Sequence, residues 1–287
     1  MTEFAVYDVF TDHAFGGNQL AVILDATGLP EEQLQKIARE FNFSETTFVY
    51  PPSDPAHTAQ VRIFTPTMEI PFAGHPTIGT AVALHDRGAA QNMVLELGIG
   101  PISCRVDGTI AQFVTTAALE VLATPSVALC AKCIDLDPSA ILTTTHTPTQ
   151  ASLGLPMVFV ELQDRPQLAR CRPQTDAFRE GALAHPGNLD FAVFAYVRDG
   201  ERIDARMFAP LDNIPEDPAT GSACATLTAL LSDIAGKPCA FTIHQGVDMG
   251  RPSLIKTEAL AGTPFPIQVT GQAVRTMTGQ LTVEAGI

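Results

Sequence analysis

Phe64-Thr65-Pro66-Thr67-Met68-Glu69-Ile70-Pro71-Phe72-Ala73-Gly74-His75 and Phe208-Ala209-Pro210-Leu211-Asp212-Asn213-Ile214-Pro215-Glu216-Asp217-Pro218-Ala219-Thr220-Gly221-Ser222 share one pattern, Phe-x-Pro-x-x-x-Ile-Pro followed by a Gly. The spacing is identical through Ile-Pro, and a few residues inserted before the second Gly are the main difference. In both places the Gly opens a nearly all-apolar stretch, His75–Arg87 in the first half and Ser222–Leu231 in the second. A helix that is apolar all round is buried. A match of this length within one chain argues for two homologous halves, each wrapping strands around one central helix.

Working outward from the repeat, β-type segments dominate. Phe4–Phe10 and Gln19–Leu24 are rich in β-branched and aromatic residues, with Gly16-Gly17-Asn18 between them as a turn signal. Pro30–Phe41 reads as an amphipathic helix with Leu34, Ile37, Ala38 and Phe41 on one face. Strands are expected at Thr47–Tyr50, Val61–Phe64, Met93–Leu97, Ile102–Val106 and Ile110–Thr115. The composition shifts to Ala, Thr and Pro around Thr116–Pro125, which suits a domain crossing. Strands then follow at Met157–Glu161, Phe191–Val197 and Ala205–Phe208, and again from Ala240 onward. The expected division is a first domain of residues 1–118, completed by a last strand over about 278–287, and a second of residues 119–277.

Of the 287 residues, 46% are hydrophobic and 17% are charged, the profile of a globular chain. No apolar run approaches the roughly 18 residues that span a bilayer, so no membrane partner is expected. The first residues lack a basic region and a long apolar core, which makes a cytoplasmic location the expectation. Net charge is −14, and no basic stretch interrupts it. Such a surface repels phosphate backbones, so nucleic acid is not an expected partner. Cys130 and Cys133 form a single C-x-x-C with no second pair at metal-site spacing, and read as two thiols on an ordinary segment.

Several candidate chemistry-bearing residues stand beside two glycines, Gly74 and Gly221. The first turn of a helix leaves its N–H groups unpaired and carries a partial positive charge. Gly74 and Gly221 let a ligand approach that backbone closely, or simply turn the chain into the helix. Two such ends related by a pseudo-twofold axis would hold a carboxylate in one cleft without Arg or Lys. Glu45, between the amphipathic helix and a buried strand, is either a solvated capping residue or an acid/base group whose charged form an apolar cleft disfavours. His75, at the helix start, is either bonded locally or held neutral to relay a proton. Asp217 is kept out of helical geometry by Pro218, and Ser222 caps or begins the second helix. Arg251, in a Gly-punctuated hairpin, is a turn residue in water or a carboxylate partner. No dinucleotide fingerprint, phosphate loop or metalloprotease motif is present. The inventory suits proton transfer without a cofactor.

These residues resemble the PhzF-like family, named for phenazine biosynthesis, over nearly the whole chain. The resemblance rests on Asp8-Val9-Phe10, Phe15-Gly16-Gly17-Asn18, Ser44-Glu45-Thr46, Ala73-Gly74-His75-Pro76-Thr77, Glu216-Asp217-Pro218-Ala219-Thr220-Gly221-Ser222-Ala223 and Gln245-Gly246-Val247-Asp248-Met249-Gly250-Arg251-Pro252. It implies an α+β, diaminopimelate epimerase-like fold: two pseudo-symmetric domains, each a barrel-like sheet around a helix, with the active site between them. It further implies a cofactor-independent isomerase, a small carboxylate substrate such as trans-2,3-dihydro-3-hydroxyanthranilate, and a homodimer. Glu45 matches the residue that moves the proton, with His75 and Asp217 beside it. Gly74, Gly221, Ser222 and Asn18 match residues that bind the substrate. Epimerases of this fold use paired cysteines, and no Cys precedes Gly74 or Gly221. An amino-acid epimerase working through acids, and a non-catalytic binding protein, are the alternatives.

Overall fold

The computed structural model describes residues 1–186 and 191–282. Its contacts divide the chain into two units, Met1–Thr115 with Val269–Ile287, and Thr116–Gln268. The chain thus returns to the first unit at Val269, earlier than the expected 278. The expected closing segment 278–287 lies outside the described residues from 283 onward. Among the described residues no helix is long and apolar enough to cross a membrane.

The elements of the first unit are β1 (Thr2–Val9), β2 (Asn18–Ile23), α1 (Glu31–Phe41), β3 (Glu45–Tyr50), β4 (Ala59–Phe64), β5 (Glu69–Ile70), α2 (Gly74–Asp86), β6 (Asn92–Leu97), β7 (Gly100–Asp107) and β8 (Ile110–Thr115). Neighbouring pairs run β1–β2 antiparallel, β2–β3 parallel, β3–β4 antiparallel, β4–β6 parallel, β6–β7 antiparallel and β7–β8 antiparallel. The last strand of the chain pairs with β1 from Leu281 opposite Thr2 to Ala273 opposite Val9, and it also pairs with β8. The sheet therefore closes on itself. Inside it, α2 touches β1, β2, β3, β6, β7 and β8 and is buried from Gly74 through Ala83. Its interior hydroxyls are satisfied locally: Thr77 donates to the Ala73 carbonyl at 2.8 Å and Thr80 to Thr47 Oγ1 at 3.0 Å.

The second unit contains β9 (Glu120–Ala123), α3 (Val127–Cys133), β10 (Thr149–Ser152), β11 (Met157–Glu161), α4 (Arg165–Arg170), α5 (Thr175–Ala184), β12 (Val193–Asp199), β13 (Arg202–Ala209), β14 (Ile214–Asp217), α6 (Gly221–Ala235), β15 (Ala240–Gln245) and β16 (Ser253–Ala259), with β17 (Ile267–Leu281) leading out of it. Pairings β10–β11 antiparallel, β11–β12 parallel, β12–β13 antiparallel, β13–β14 antiparallel, β13–β15 parallel and β15–β16 antiparallel follow the first unit's order step by step. The repeat read from Phe-x-Pro-x-x-x-Ile-Pro is thus a repeat of topology. In each copy the motif builds the short hairpin before the central helix, with Ile63 opposite Ile70 and Ala209 opposite Ile214. The second central helix runs a turn beyond the expected Leu231, to Ala235. Cys130 and Cys133 sit buried on α3 in an apolar cluster with Val158, Val160 and Phe178. Burial pushes the Cys133 thiol up to about 12 and Cys130 higher still, so both behave as small apolar side chains.

The repeat also extends two residues upstream of the motif. Arg62 stacks over Phe64 at 5.2 Å and Arg206 over Phe208 at 5.0 Å. Their surroundings differ. Arg62 bonds to Glu31 and Glu69, both well exposed. Arg206 is buried, with a bidentate pair to Glu216 at 2.8 and 2.7 Å. It also donates to the carbonyls of Leu168, Ala169 and Cys171 at the end of α4. Arg206→Leu should therefore destabilise the protein by about 3–5 kcal/mol, because the mostly covered Glu216 and three carbonyls lose their partner. Arg62→Leu should cost less than about 1 kcal/mol. Urea unfolding checks this, and equal losses would contradict the assignment of Arg206 as an interior anchor.

Candidate active site

Glu45 is the first residue of β3, not a loop residue ahead of it, and lies beside Leu20 of the parallel β2. Side chains two apart on a strand share a face. Thr47 meets α2 through Thr80, so Glu45 faces the same helix one step nearer its start. There its Oε2 lies 3.3 Å from His75 Nε2. His75 is the second residue of α2, which begins after Ala73 in extended backbone with no side-chain cap. Pro76 follows in the first turn, where its missing N–H costs nothing. Asn18, the first residue of β2, places its carboxamide nitrogen 3.3 Å from His75 Nδ1. The imidazole thus lies between Asn18 and Glu45 with 3% of its surface exposed, bonded through Nδ1 to Asn18, while its Nε2 approaches Glu45 without making a hydrogen bond.

Burial pushes the pKa of His75 down to about 3, against a smaller opposing contribution from the backbone of Gln19. The ring is neutral at physiological pH. Although the 3.3 Å separation suits an ion pair, Glu45 therefore has no imidazolium beside it. A neutral imidazole offers one donor and one acceptor, so the same ring can serve the carboxylate or the carboxyl form of its neighbour.

The second unit gathers Asp217, Gly221 and Ser222 around the start of α6, all buried. Asp217 ends β14, and its Oδ2 accepts a 2.6 Å bond from the Thr220 hydroxyl. Thr220 is the residue before the helix, and its amide donates to Gln245 Oε1 at 3.1 Å. Gln245 Nε2 donates to the Asp217 carbonyl at 2.8 Å and to Thr220 Oγ1 at 2.9 Å. Asn18, Glu45, Gly74 and His75 thus form one cluster in the first unit, and Asp217, Gly221 and Ser222 another in the second. Thr220 and Gln245 escaped the residue-by-residue reading of chemistry, although both stand in quoted motifs. The signal was their position, directly before the second Gly and directly before the Gly that follows β15. Arg251 lies in the turn after Gly250, its amide bonded to the Gly246 carbonyl at 3.0 Å. Among the described residues no group of His, Cys, Asp and Glu is placed to hold a metal ion.

Two units of one topology, each built on a buried helix with polar residues at its start, define an enzyme of the diaminopimelate epimerase-like architecture. Residues 7–279 match the family model of phenazine biosynthesis-like proteins, and the chain belongs to that family, whose fold serves isomerases. It is 36% identical to an uncharacterized isomerase of Mesorhizobium japonicum, over 97% of this chain and 98% of that one. It is 33% identical to the trans-2,3-dihydro-3-hydroxyanthranilate isomerase of Pseudomonas fluorescens, over 96% of this chain and 97% of that one. The crystal structure of a PhzF-family phenazine biosynthesis protein of Bacillus anthracis has the same fold, with a TM-score of 0.85 at 23% identity, covering 98% and 99% of the two chains.

The neutral state of His75 has a measurable consequence. Its folded pKa of about 3 lies below the ordinary value of about 6.5. Between those values the unfolded chain binds the extra proton, so this residue's contribution to stability is full above about pH 6.5 and shrinks as pH falls toward 3. The imidazole resonances of His75 should therefore not titrate between about pH 5 and 8. A midpoint at the ordinary value would contradict the buried, neutral assignment.

Proposed function

We propose that this protein isomerises a small, unsaturated carboxylate by moving one proton, without a cofactor. Glu45 acts as the base that takes the proton and the acid that returns it. The observation that supports this best is the pairing of Glu45 with a buried, neutral His75 at 3.3 Å. An imidazolium at that distance would hold Glu45 ionised and weaken it as a base. A neutral ring adds no such charge and carries both a donor and an acceptor.

The substrate proposed first is trans-2,3-dihydro-3-hydroxyanthranilate, the compound named for the Pseudomonas fluorescens relative. In this reading Glu45 takes the proton from ring carbon 3. The C–H electrons shift the double bonds, and the same carboxyl returns the proton to carbon 1. The amides at Gly74-His75 and Gly221-Ser222, with Asn18 and Asp217, bind the substrate's polar groups.

Two-base inversion is less well served by this chain. Ala73 and Thr220 stand before the helix-opening glycines. Cys224, the cysteine of α6, has its thiol pushed far up by burial and then by Asp217. It is no source of thiolate at neutral pH.

Incubation with trans-2,3-dihydro-3-hydroxyanthranilate in heavy water tests the proposal. The expected result is consumption of substrate with deuterium appearing in the product. Glu45→Gln should slow turnover by at least about 10²-fold while ligand binding survives. A variant as active as the parent would remove Glu45 from the mechanism. The proposal includes a cytoplasmic homodimer; light scattering should give twice the 30.5 kDa chain mass, and a monomer at micromolar concentration would sink that part of it.

A further inference from the structure

We propose that Gln245 is a positioning residue: with Thr220 it fixes Asp217 and the first turn of α6, so that the second unit presents rigid binding groups to the substrate. The inference rests on the reading of Asp217, Gly221 and Ser222 as substrate contacts.

Gln245 is the last residue of β15 and is wholly buried. A buried carboxamide is costly unless its hydrogen bonds are made. Those of Gln245 to nitrogen and oxygen all go to one four-residue stretch. Oε1 accepts from the Thr220 amide, and Nε2 donates to the Asp217 carbonyl and the Thr220 hydroxyl. That hydroxyl in turn donates to Asp217 Oδ2. Between them, Pro218 and Ala219 have no side chain able to anchor the loop. Gln245 thus fixes the Asp217 backbone and the Thr220 amide directly, and reaches the Asp217 carboxylate through the Thr220 hydroxyl.

The first unit shows what this residue adds. Gln60 pairs with Glu96 in the parallel ladder of β4 and β6, and Ala205 with Gln245 in that of β13 and β15. Placing Arg62 on Arg206 puts Val61 on Ala205, and therefore Leu97 on Gln245 and Gly98 on Gly246. Both glycines receive the loop that leads to the helix. A Cβ at Gly98 would lie 2.7 Å from Pro71 Cα, and one at Gly246 would lie 2.7 Å from the Pro218 carbonyl oxygen. In the first unit Gly74 comes three residues after Pro71, and the residue at the corresponding strand position is the apolar Leu97. In the second, Gly221 comes six residues after Pro215, the loop carries Asp217 and Thr220, and glutamine stands in place of leucine. A longer loop has more freedom to lose on ordering. Gln245 removes that freedom at Asp217 and Thr220.

Gln245→Leu copies the first unit's residue at similar size and deletes all three bonds. Thr220→Val removes the hydroxyl between Gln245 and Asp217, and Thr220→Ser keeps it. Turnover of trans-2,3-dihydro-3-hydroxyanthranilate, its binding by calorimetry and amide hydrogen exchange at residues 217–224 are measured on the full chain. KM should rise about tenfold or more in Gln245→Leu and in Thr220→Val, the effect of one or two well-aligned bonds lost. The fall in kcat should be smaller than the rise in KM. Exchange should quicken at residues 220–224 while β15 stays protected, and Thr220→Ser should restore both. Folded variants that keep the parent KM overturn the inference, as does a fall in kcat with KM unmoved. Should Gln245→Leu fail to fold, the Val and Ser variants at position 220 decide alone. A parent protein that neither binds nor converts this carboxylate overturns the substrate-contact reading itself and the inference with it. That pattern differs from an active parent whose variants keep its KM.

Discussion

A helix sealed on every side can meet a ligand only at its ends. That constraint orders this molecule. In the first unit the sheet closes around α2, and the helix's lateral surface goes into contacts with six strands. Polar atoms inside the wall are consumed by neighbours, as with Thr47, Thr77 and Thr80. Chemistry is left to the N-terminal end, where backbone amides and the positive end of the dipole concentrate. The polar residues brought together there, Asn18, Glu45 and His75, come from the first positions of β2 and β3 and from the first turn of α2. All are anchored by regular structure, which holds a site more tightly than a free loop does.

The two units share this plan and differ in how they treat charge. The first keeps its acid beside a ring that burial holds neutral. The second surrounds its acid with neutral donors, a threonine hydroxyl and, behind it, a glutamine amide. The same divergence appears one layer out. Arg62 lies in an exposed ion-pair cluster, whereas its counterpart Arg206 is enclosed with Glu216 and three carbonyls. A repeat that began as two equal halves can divide labour in this way without altering the backbone. In the proposed reaction the proton-transferring carboxyl belongs to the first unit alone, while both units supply binding groups.

Much of the fold was legible because the repeat shows itself where the backbone has least freedom. Phe-x-Pro-x-x-x-Ile-Pro marks a hairpin whose prolines fix the turn, and the apolar run after it has no reading but a buried helix. The short helices α3, α4 and α5 were not read. They pack one face on the apolar cluster of the second unit, and none carries the long period that identified α1. The starts of α3 and α4 were nevertheless marked. Ser126 caps α3 by accepting from the Leu129 amide, and Asp164 caps α4 by accepting from that of Gln167, with Pro166 in the first turn. Glu45, His75 and Asp217 drew attention singly because titratable residues stood beside helix signals. Their partnerships did not, because register brings Glu45 to His75 across thirty positions of chain, and nothing local encodes that.

Charge supplies the remaining step. A chain of net charge −14 does not attract a carboxylate by its overall field. If the substrate is an acid, its recognition rests on short-range, directional groups. Neutral donors are better suited to that than lysine or arginine would be beside Glu45, because a fixed cation there would stabilise the carboxylate and lower its basicity. Amides at a helix start bind an anion with partial charges that fall away within a turn. In the proposed reaction such amides would bind the substrate's carboxylate without placing a full positive charge against Glu45. The same argument accounts for a buried, neutral histidine as its neighbour. A single carboxyl that both takes and returns a proton must be able to exist in both states, and every group placed against it has to tolerate the change.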